Sequence, residues 1–318
     1  MLIKNIFFLI TFFSLTFCSK TKHNPIYYNT QDSIEFSKPI GGYEFDFISD
    51  NIFIPNKYNH RLELYSKEGK FLSYLGNRGK GPIEFEKPKF FDIYKDNIFL
   101  LDRALFKIVI TKIDSSRIHF KNEFIPDYNI MDICALSNDL MLVTCIGIRK
   151  NIKLYNREGK LLKEYDILGI NELNNKKDYY RTLCFVQNLN KNNVLFGSIT
   201  TGELYFCKID KEELTVVRKI KSETVEKIQT KTDRINNKEV NIYGLGPIYS
   251  SNNQYYVSFN PEFFENPIFE KYDKNGNFLG KLYLKTKKAY YFTFRKNKIF
   301  FTKLGFDQKI YIAKEEKH

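Results

Sequence analysis

The hairpin at Arg61–Leu72, RLELYSKEGKFL, constrains this chain most, because it returns twice. Asn151–Asp166 reads NIKLYNREGKLLKEYD and Ile268–Leu284 reads IFEKYDKNGNFLGKLYL. Each copy is an alternating strand, a tight turn closed by glycine, and a second strand. Self-similar hairpins spread over a chain of this length indicate a repeat architecture.

A second kind of hairpin lies between these copies. Its strands are continuous apolar runs around Asn/Asp/Lys turns: Phe45–Pro55, Phe90–Asp102, Met131–Cys145, Cys184–Ser198, Ile248–Phe259 and Tyr290–Thr302. Runs such as Ile98–Leu101 lack alternation, as expected of strands covered on both faces. Turn pairs such as Asp50-Asn51, Asp96-Asn97, Asn138-Asp139 and Asn252-Asn253 supply residues that tolerate positive φ. The amphipathic hairpins between them are Arg61–Leu72, Lys107–Phe120, Asn151–Asp166, Leu204–Ile220 and Ile268–Leu284, five against six.

The missing sixth amphipathic hairpin is informative. Only one more strand fits near the C-terminus, Lys309–Ala313, and Ser33–Phe36 stands unpartnered near the N-terminus. Pairing the two predicts an all-β, six-bladed β-propeller of four-stranded blades, the sixth closed by strands from both termini. With 43% hydrophobic residues, 30 Phe and 22 Tyr, the chain has material for such a core.

Leu64–Leu72, Leu75-Gly76, Gly79-Lys80-Gly81-Pro82, Glu84-Phe85 and Pro88 together resemble an NHL-type repeat. The chain is similar to the six-bladed β-propeller lipoproteins of Bacteroidetes-like bacteria. The motif is full at Leu64–Pro88, partial at the Gly159 and Gly276 hairpins, and echoed by Gly244–Pro247. The resemblance implies a fold more than an activity.

The N-terminus agrees with export. Lys4 precedes an apolar run from Ile6 to Phe17, too short to span a bilayer but suited to a signal peptide. Leu15-Thr16-Phe17-Cys18 resembles a lipobox, although Phe17 stands where a small residue is usual. The expected organisation is a signal peptide at 1–17, a lipidated tether at 18–25 beginning with Cys18, and the propeller at 26–318. The expected location is the cell envelope, lipid-anchored at the outer membrane, facing the periplasm or the surface, as a monomer.

Export gives the net charge of +13 its meaning, since loss of residues 1–17 removes only Lys4. An exported basic protein meets an envelope protein or an acidic glycan rather than nucleic acid. Cys134, Cys145, Cys184 and Cys207 sit in apolar runs and read as buried thiols. No Cys/His zinc spacing is present.

Loops entering each blade and loops from second to third strand share one face, where binding is expected. Tyr58, Arg61, Arg103 and Arg149 are its candidate contact residues, offering a stacking ring and planar bidentate donors. Gly76, Gly79 and Gly81 suit either an anion-binding nest or a tight interblade crossing, the latter favoured because no helix follows. The sequence holds no HExxH or GxSxG motif, so no catalytic residue and no cofactor are assigned. The alternative is a metal-dependent hydrolase or lyase, with Ca2+ or Zn2+ over the central channel held by Asn56, Asp102, Asn260, Glu262 and Asp307.

Overall fold

In a computed structural model, residues 25–38, 44–167, 183–190, 192–225, 245–259, 266–303 and 309–316 are described. The chain enters as β1 (Ile26–Glu35). Blade 1 follows as β2 (Asp46–Ile48), β3 (Asn51–Asn56), β4 (Arg61–Ser66) and β5 (Phe71–Leu75). A short parallel pair, β6 (Asn77–Arg78) and β7 (Glu84–Phe85), crosses to blade 2: β8 (Pro88–Tyr94), β9 (Asn97–Asp102), β10 (Lys107–Asp114) and β11 (Arg117–Phe124). Blade 3 is β12 (Ile130–Ala135), β13 (Leu140–Cys145), β14 (Ile152–Asn156) and β15 (Leu161–Tyr165). Blade 4 is β16 (Cys184–Asn190), β17 (Asn193–Ser198), β18 (Glu203–Asp210) and β19 (Glu213–Lys221). Blade 5 is β20 (Leu245–Ser251), β21 (Gln254–Phe259), β22 (Ile268–Asp273) and β23 (Phe278–Leu284). Blade 6 supplies β24 (Ala289–Arg295), β25 (Lys298–Lys303) and β26 (Lys309–Glu315). Each blade is an antiparallel meander running outward from the axis.

β1 completes the ring as the outermost strand of blade 6. It pairs antiparallel with β26, with Ser33 opposite Tyr311 and Ile34 opposite Ile310, as expected from the two unpartnered strands. Its first residues also pair parallel with β23, Ile26 to Leu282 and Tyr28 to Leu284. One strand therefore joins blades 5 and 6 into an eight-stranded sheet. Pairing with β26 begins at Tyr28, and its register shifts between Thr30 and Asp32.

The core lies between blades. Its apolar clusters fall one to each gap: Phe53 with Phe85 and Leu100, Phe99 with Val143, Leu154 with Phe196, Leu204 with Tyr255, Phe269 with Phe292, and Phe300 with Ile52. Second strands such as β9 and β17 are buried on both faces, which explains their lack of alternation. Each gap filled by side chains from two blades is what holds one rotation per blade around the ring.

The turn residues differ from expectation by one position. Ile48 pairs with Asn51 and Tyr94 with Asn97, so the central residues are Ser49-Asp50 and Lys95-Asp96. Ser49 and Lys95 take positive φ there, while Asn252 and Asn253 do so in blade 5 as expected. Pairing register, not residue preference, chose the left-handed position. The freed asparagines bridge blades instead: Asn51 Nδ2 donates to the carbonyl of Ser115 at 2.6 Å and Asn97 Nδ2 to Asn138 Oδ1 at 2.8 Å.

The glycines at 76, 79 and 81 build the crossing. Gly76 has φ of 100°, and a Cβ there would lie 2.4 Å from the Phe85 ring, which is fully buried. The backbone N–H of Gly81 is turned to Glu84 Oε2 at 2.7 Å. The protein's own carboxylate thus occupies the nest.

Candidate functional site

Six first strands converge on the axis and cannot hydrogen-bond to one another edge to edge. Their inner edges would leave backbone groups unpaired, and polar side chains from neighbouring blades satisfy them. Asp92 Oδ2 accepts from Ala135 N–H at 2.8 Å, tying blade 2 to blade 3. Asp132 Oδ2 accepts from Val186 N–H at 3.0 Å, tying blade 3 to blade 4. Thr293 Oγ1 donates to Asp46 Oδ1 at 2.9 Å between blades 6 and 1. Ser250 Oγ donates to the carbonyl of Asn188 at 2.8 Å between blades 5 and 4.

These residues surround a central channel of about 1010 Å3. Its wall carries Asp46, Asp92 and Asp132 on one arc and Tyr249, Tyr290 and Tyr291 on blades 5 and 6. Lys89, Arg103, Lys287 and Lys288 line the end nearer the interblade loops. There Lys89 Nζ stands 3.9 Å from Glu44 Oε1, whose other oxygen accepts from Phe90 N–H at 2.8 Å. Arg103 lies over the Phe90 ring, 5.5 Å from its centroid. The channel therefore has a basic mouth and an acidic interior.

Burial governs titration inside it. Desolvation raises Asp92 to about 7 and Asp132 to about 8, opposed by the backbone N–H groups each accepts from and reinforced by neighbouring acids. Asp46 is raised for the same first cause, and so is Glu44, against the pull of Lys89. Burial lowers Lys89, with Glu44 acting the other way. The folded state thus holds protons on Asp92 and Asp132 that an unfolded chain releases near pH ~4. Stability from this source is full below that pH and is lost as pH rises through about 7 and 8. Thermal melts of Asp92→Asn and Asp132→Asn beside the native protein check this. The native protein should lose several degrees more than either variant between pH 5 and pH 9 (roughly, by the same linkage). Parallel curves would show that these groups ionise without cost.

The expected contact residues separate. Arg103 reaches the channel mouth. Tyr58 is 53% exposed on the turn after β3, with Lys57 Nζ 5.0 Å from its ring. Arg61 is engaged by the buried Glu63 at 2.6 Å and stacks over Tyr74. Arg149 pairs with Asp166 at 3.2 Å. All four stand at or beside turns between second and third strands, but their side chains have separate partners.

The alternative metal set separates similarly. Asn56 Oδ1 accepts from Tyr58 and Asn59 N–H, capping the turn after β3. Asp102 accepts backbone N–H bonds from Glu86, Lys87, Ala104 and Leu105, capping the equivalent turn and anchoring the crossing. Asn260, Glu262 and Asp307 lie outside the described residues. Among the described residues no three His, Cys, Asp or Glu side chains are placed to hold a metal. Cys134, Cys145, Cys184 and Cys207 are buried free thiols, and burial raises Cys145 and Cys207 to about 12. Such thiols stay protonated and unreactive near neutral pH.

The channel aspartates were legible but unread. Asp46-Phe47-Ile48, Asp92-Ile93-Tyr94 and Asp132-Ile133-Cys134 recur at one place in three apolar hairpins. A charged residue repeated inside otherwise apolar inner strands is their signal.

Residues 50–284 match the family described as TolB-like 6-blade propeller-like. The chain belongs to this family. Among solved structures, two from Bacteroides resemble this TolB-like propeller at 12% identity and a TM-score of 0.59. One is a protein of Bacteroides fragilis described as exported, with 92% of this chain and 100% of that chain covered. The other is a DUF4221 family member from Bacteroides vulgatus, covering 93% and 99%. The β-propeller domain of Cps50 (Swd1) from Myceliophteria thermophila aligns at 8% identity and a TM-score of 0.53, covering 89% and 98%. These likenesses establish the fold. No curated protein matches this TolB-like propeller by sequence.

Proposed function

We propose that this TolB-like propeller is an envelope-anchored lipoprotein, acylated at Cys18, that binds a partner through the loop-bearing face. The partner is an envelope protein or an acidic glycan. The observation that carries the reading is the basic mouth: Lys89, Arg103, Lys287 and Lys288 gather where the central channel opens among interblade loops. Convergent cations at a concave, partly apolar opening favour acidic groups and steer them in from a distance. The Bacteroides fragilis relative described as exported supports the location, as does the apolar run from Ile6 to Phe17.

The test is a crosslinking pull-down of the full-length protein from native envelope membranes, beside a Cys18→Ala form and a triple variant. Arg61 and Arg149 are unsuited to that variant, because Arg61→Glu would set a second carboxylate against the buried Glu63. Arg103→Glu, Lys287→Glu and Lys288→Glu together should abolish capture while leaving the melting temperature close to native. Capture undiminished by the triple variant would remove this face from the reading.

A further inference from the structure

The central channel joins the mouth on which the partner reading rests to an interior that this reading leaves unused. Its mouth is cationic at Lys89 and Arg103, and its interior is carboxylic at Asp92 and Asp132. Neither interior acid has an ion pair among the described residues, and no cation figures among the main influences on either. Tyr249 and Tyr291 line the same cavity, their rings packed on each other with centroids 6.3 Å apart. Asn188, also in the wall, keeps a buried Oδ1 with no hydrogen-bond partner among the described residues. The interior acids thus stand protonated without a cation, and a bound ammonium would ionise them with release of the proton to solvent. At the mouth Lys89 and Arg103 face the single carboxylate of Glu44.

We propose that the channel binds a short peptide with both ends free, its ammonium group at Asp92 and Asp132 and its carboxylate at Lys89 and Arg103.

Spacing sets the length. Lys89 and Asp92 lie on one strand, separated by a register shift between Lys89 and Phe91. Two to three strand steps at ~3.3 Å put the poles roughly 7–10 Å apart. An extended peptide of two or three residues spans about the same distance. A single amino acid is too short to reach both poles, and a peptide blocked at either end leaves one pole unanswered. Peptide N–H groups also suit the backbone acceptors along the inner edges. A cavity of about 1010 Å3 has room for this. The inference shares Lys89 and Arg103 with the partner reading, but its test on purified protein alone can fail or succeed whatever the membrane pull-down shows.

Isothermal titration should compare Ala-Phe-Ala with its N-acetyl and C-terminal amide forms, with Ala-Ala-Ala and Ala-Asp-Ala alongside. The free peptides should bind with Kd of about 1 mM or tighter, and each blocked form at least about tenfold more weakly. Arg103→Met should weaken the free peptide but not its amide, since the amide has already lost that contact. Asp132→Asn should likewise weaken the free peptide but not the N-acetyl form. Equal affinity for free and N-acetylated peptide overturns the proposal, as does the absence of binding by all three free peptides. Arg103→Met weakening free peptide and amide alike overturns the placement of the carboxylate.

Discussion

Gly69→Val should destabilise the protein by about 3 kcal/mol or more, the heaviest loss among the turn glycines. Gly69 has φ of 85°, in the left-handed region where a β-branched residue is strained. A Cβ there would also stand 1.9 Å from the carbonyl oxygen of Glu35, in the closing strand β1. Backbone cannot swing aside as a side chain can, and Gly69 O accepts from Ser37 N–H at 3.0 Å at the same place. The substitution therefore acts on ring closure as well as on its own turn. Gly159 and Gly276 face rings instead: a Cβ would meet Phe124 at 2.4 Å and Phe206 at 2.7 Å. Phe124 lies in a half-buried outer strand and can yield, so Gly159→Val should cost less. Urea unfolding of both variants gives the ranking. Equal losses would mean that closure through β1 carries no special weight.

Glu270→Ala should cost about 3–5 kcal/mol, because it strands the buried Tyr272 and Thr224. Glu270 is 1% exposed and accepts from Tyr272 Oη at 2.6 Å, from the backbone N–H of Thr224 at 3.2 Å and from Thr224 Oγ1, with Lys281 Nζ 3.6 Å away. The same Glu-x-Tyr pair occurs in blade 1, where Tyr65 Oη donates to Glu63 at 2.9 Å, and in blade 4, where Tyr205 Oη donates to Glu203 at 2.7 Å. Glu203 is the exposed case, 29% accessible and paired with a half-exposed Lys219, so Glu203→Ala should cost about 1 kcal/mol. The tyrosine hydroxyl loses its carboxylate partner in both, but in blade 4 water can replace it. Melting temperatures of the two variants separate the cases by roughly 5–10 °C. A Glu203→Ala loss as large as that of Glu270→Ala would contradict the role given to burial.

The fold was legible because each blade writes its position into local pattern. Apolar runs marked second strands sealed on both faces, alternation marked outer ones, and Gly69, Gly159 and Gly276 marked the turns between. Even the unequal hairpin count was a signal, since it left Ser33–Phe36 and Lys309–Ala313 for one another. The parallel pairing of β1 with β23 was not legible, because exposed backbone edges carry no side-chain code. The channel was harder still. Arg61 and Arg149 look like free contact residues in sequence, and only packing shows Glu63 and Asp166 holding them. Asp92 and Asp132 recur inside apolar strands, but only the convergence of six blades brings them to one cavity. Local pattern sets strands and turns, whereas a site on the axis is a product of closure.

The joining of first strand to last also orders events in time. Asn29 and Glu316 meet across 287 positions of chain. A polypeptide emerging amino end first can complete blades 1 to 4 as it appears, each from contiguous sequence. β1 must wait, unpaired, until β23 and then β26 arrive to flank it. Contacts of such separation form late and slowly. The waiting segment is polar at Asn29–Ser33, which suits a strand that must stay unpaired in water until its partners exist.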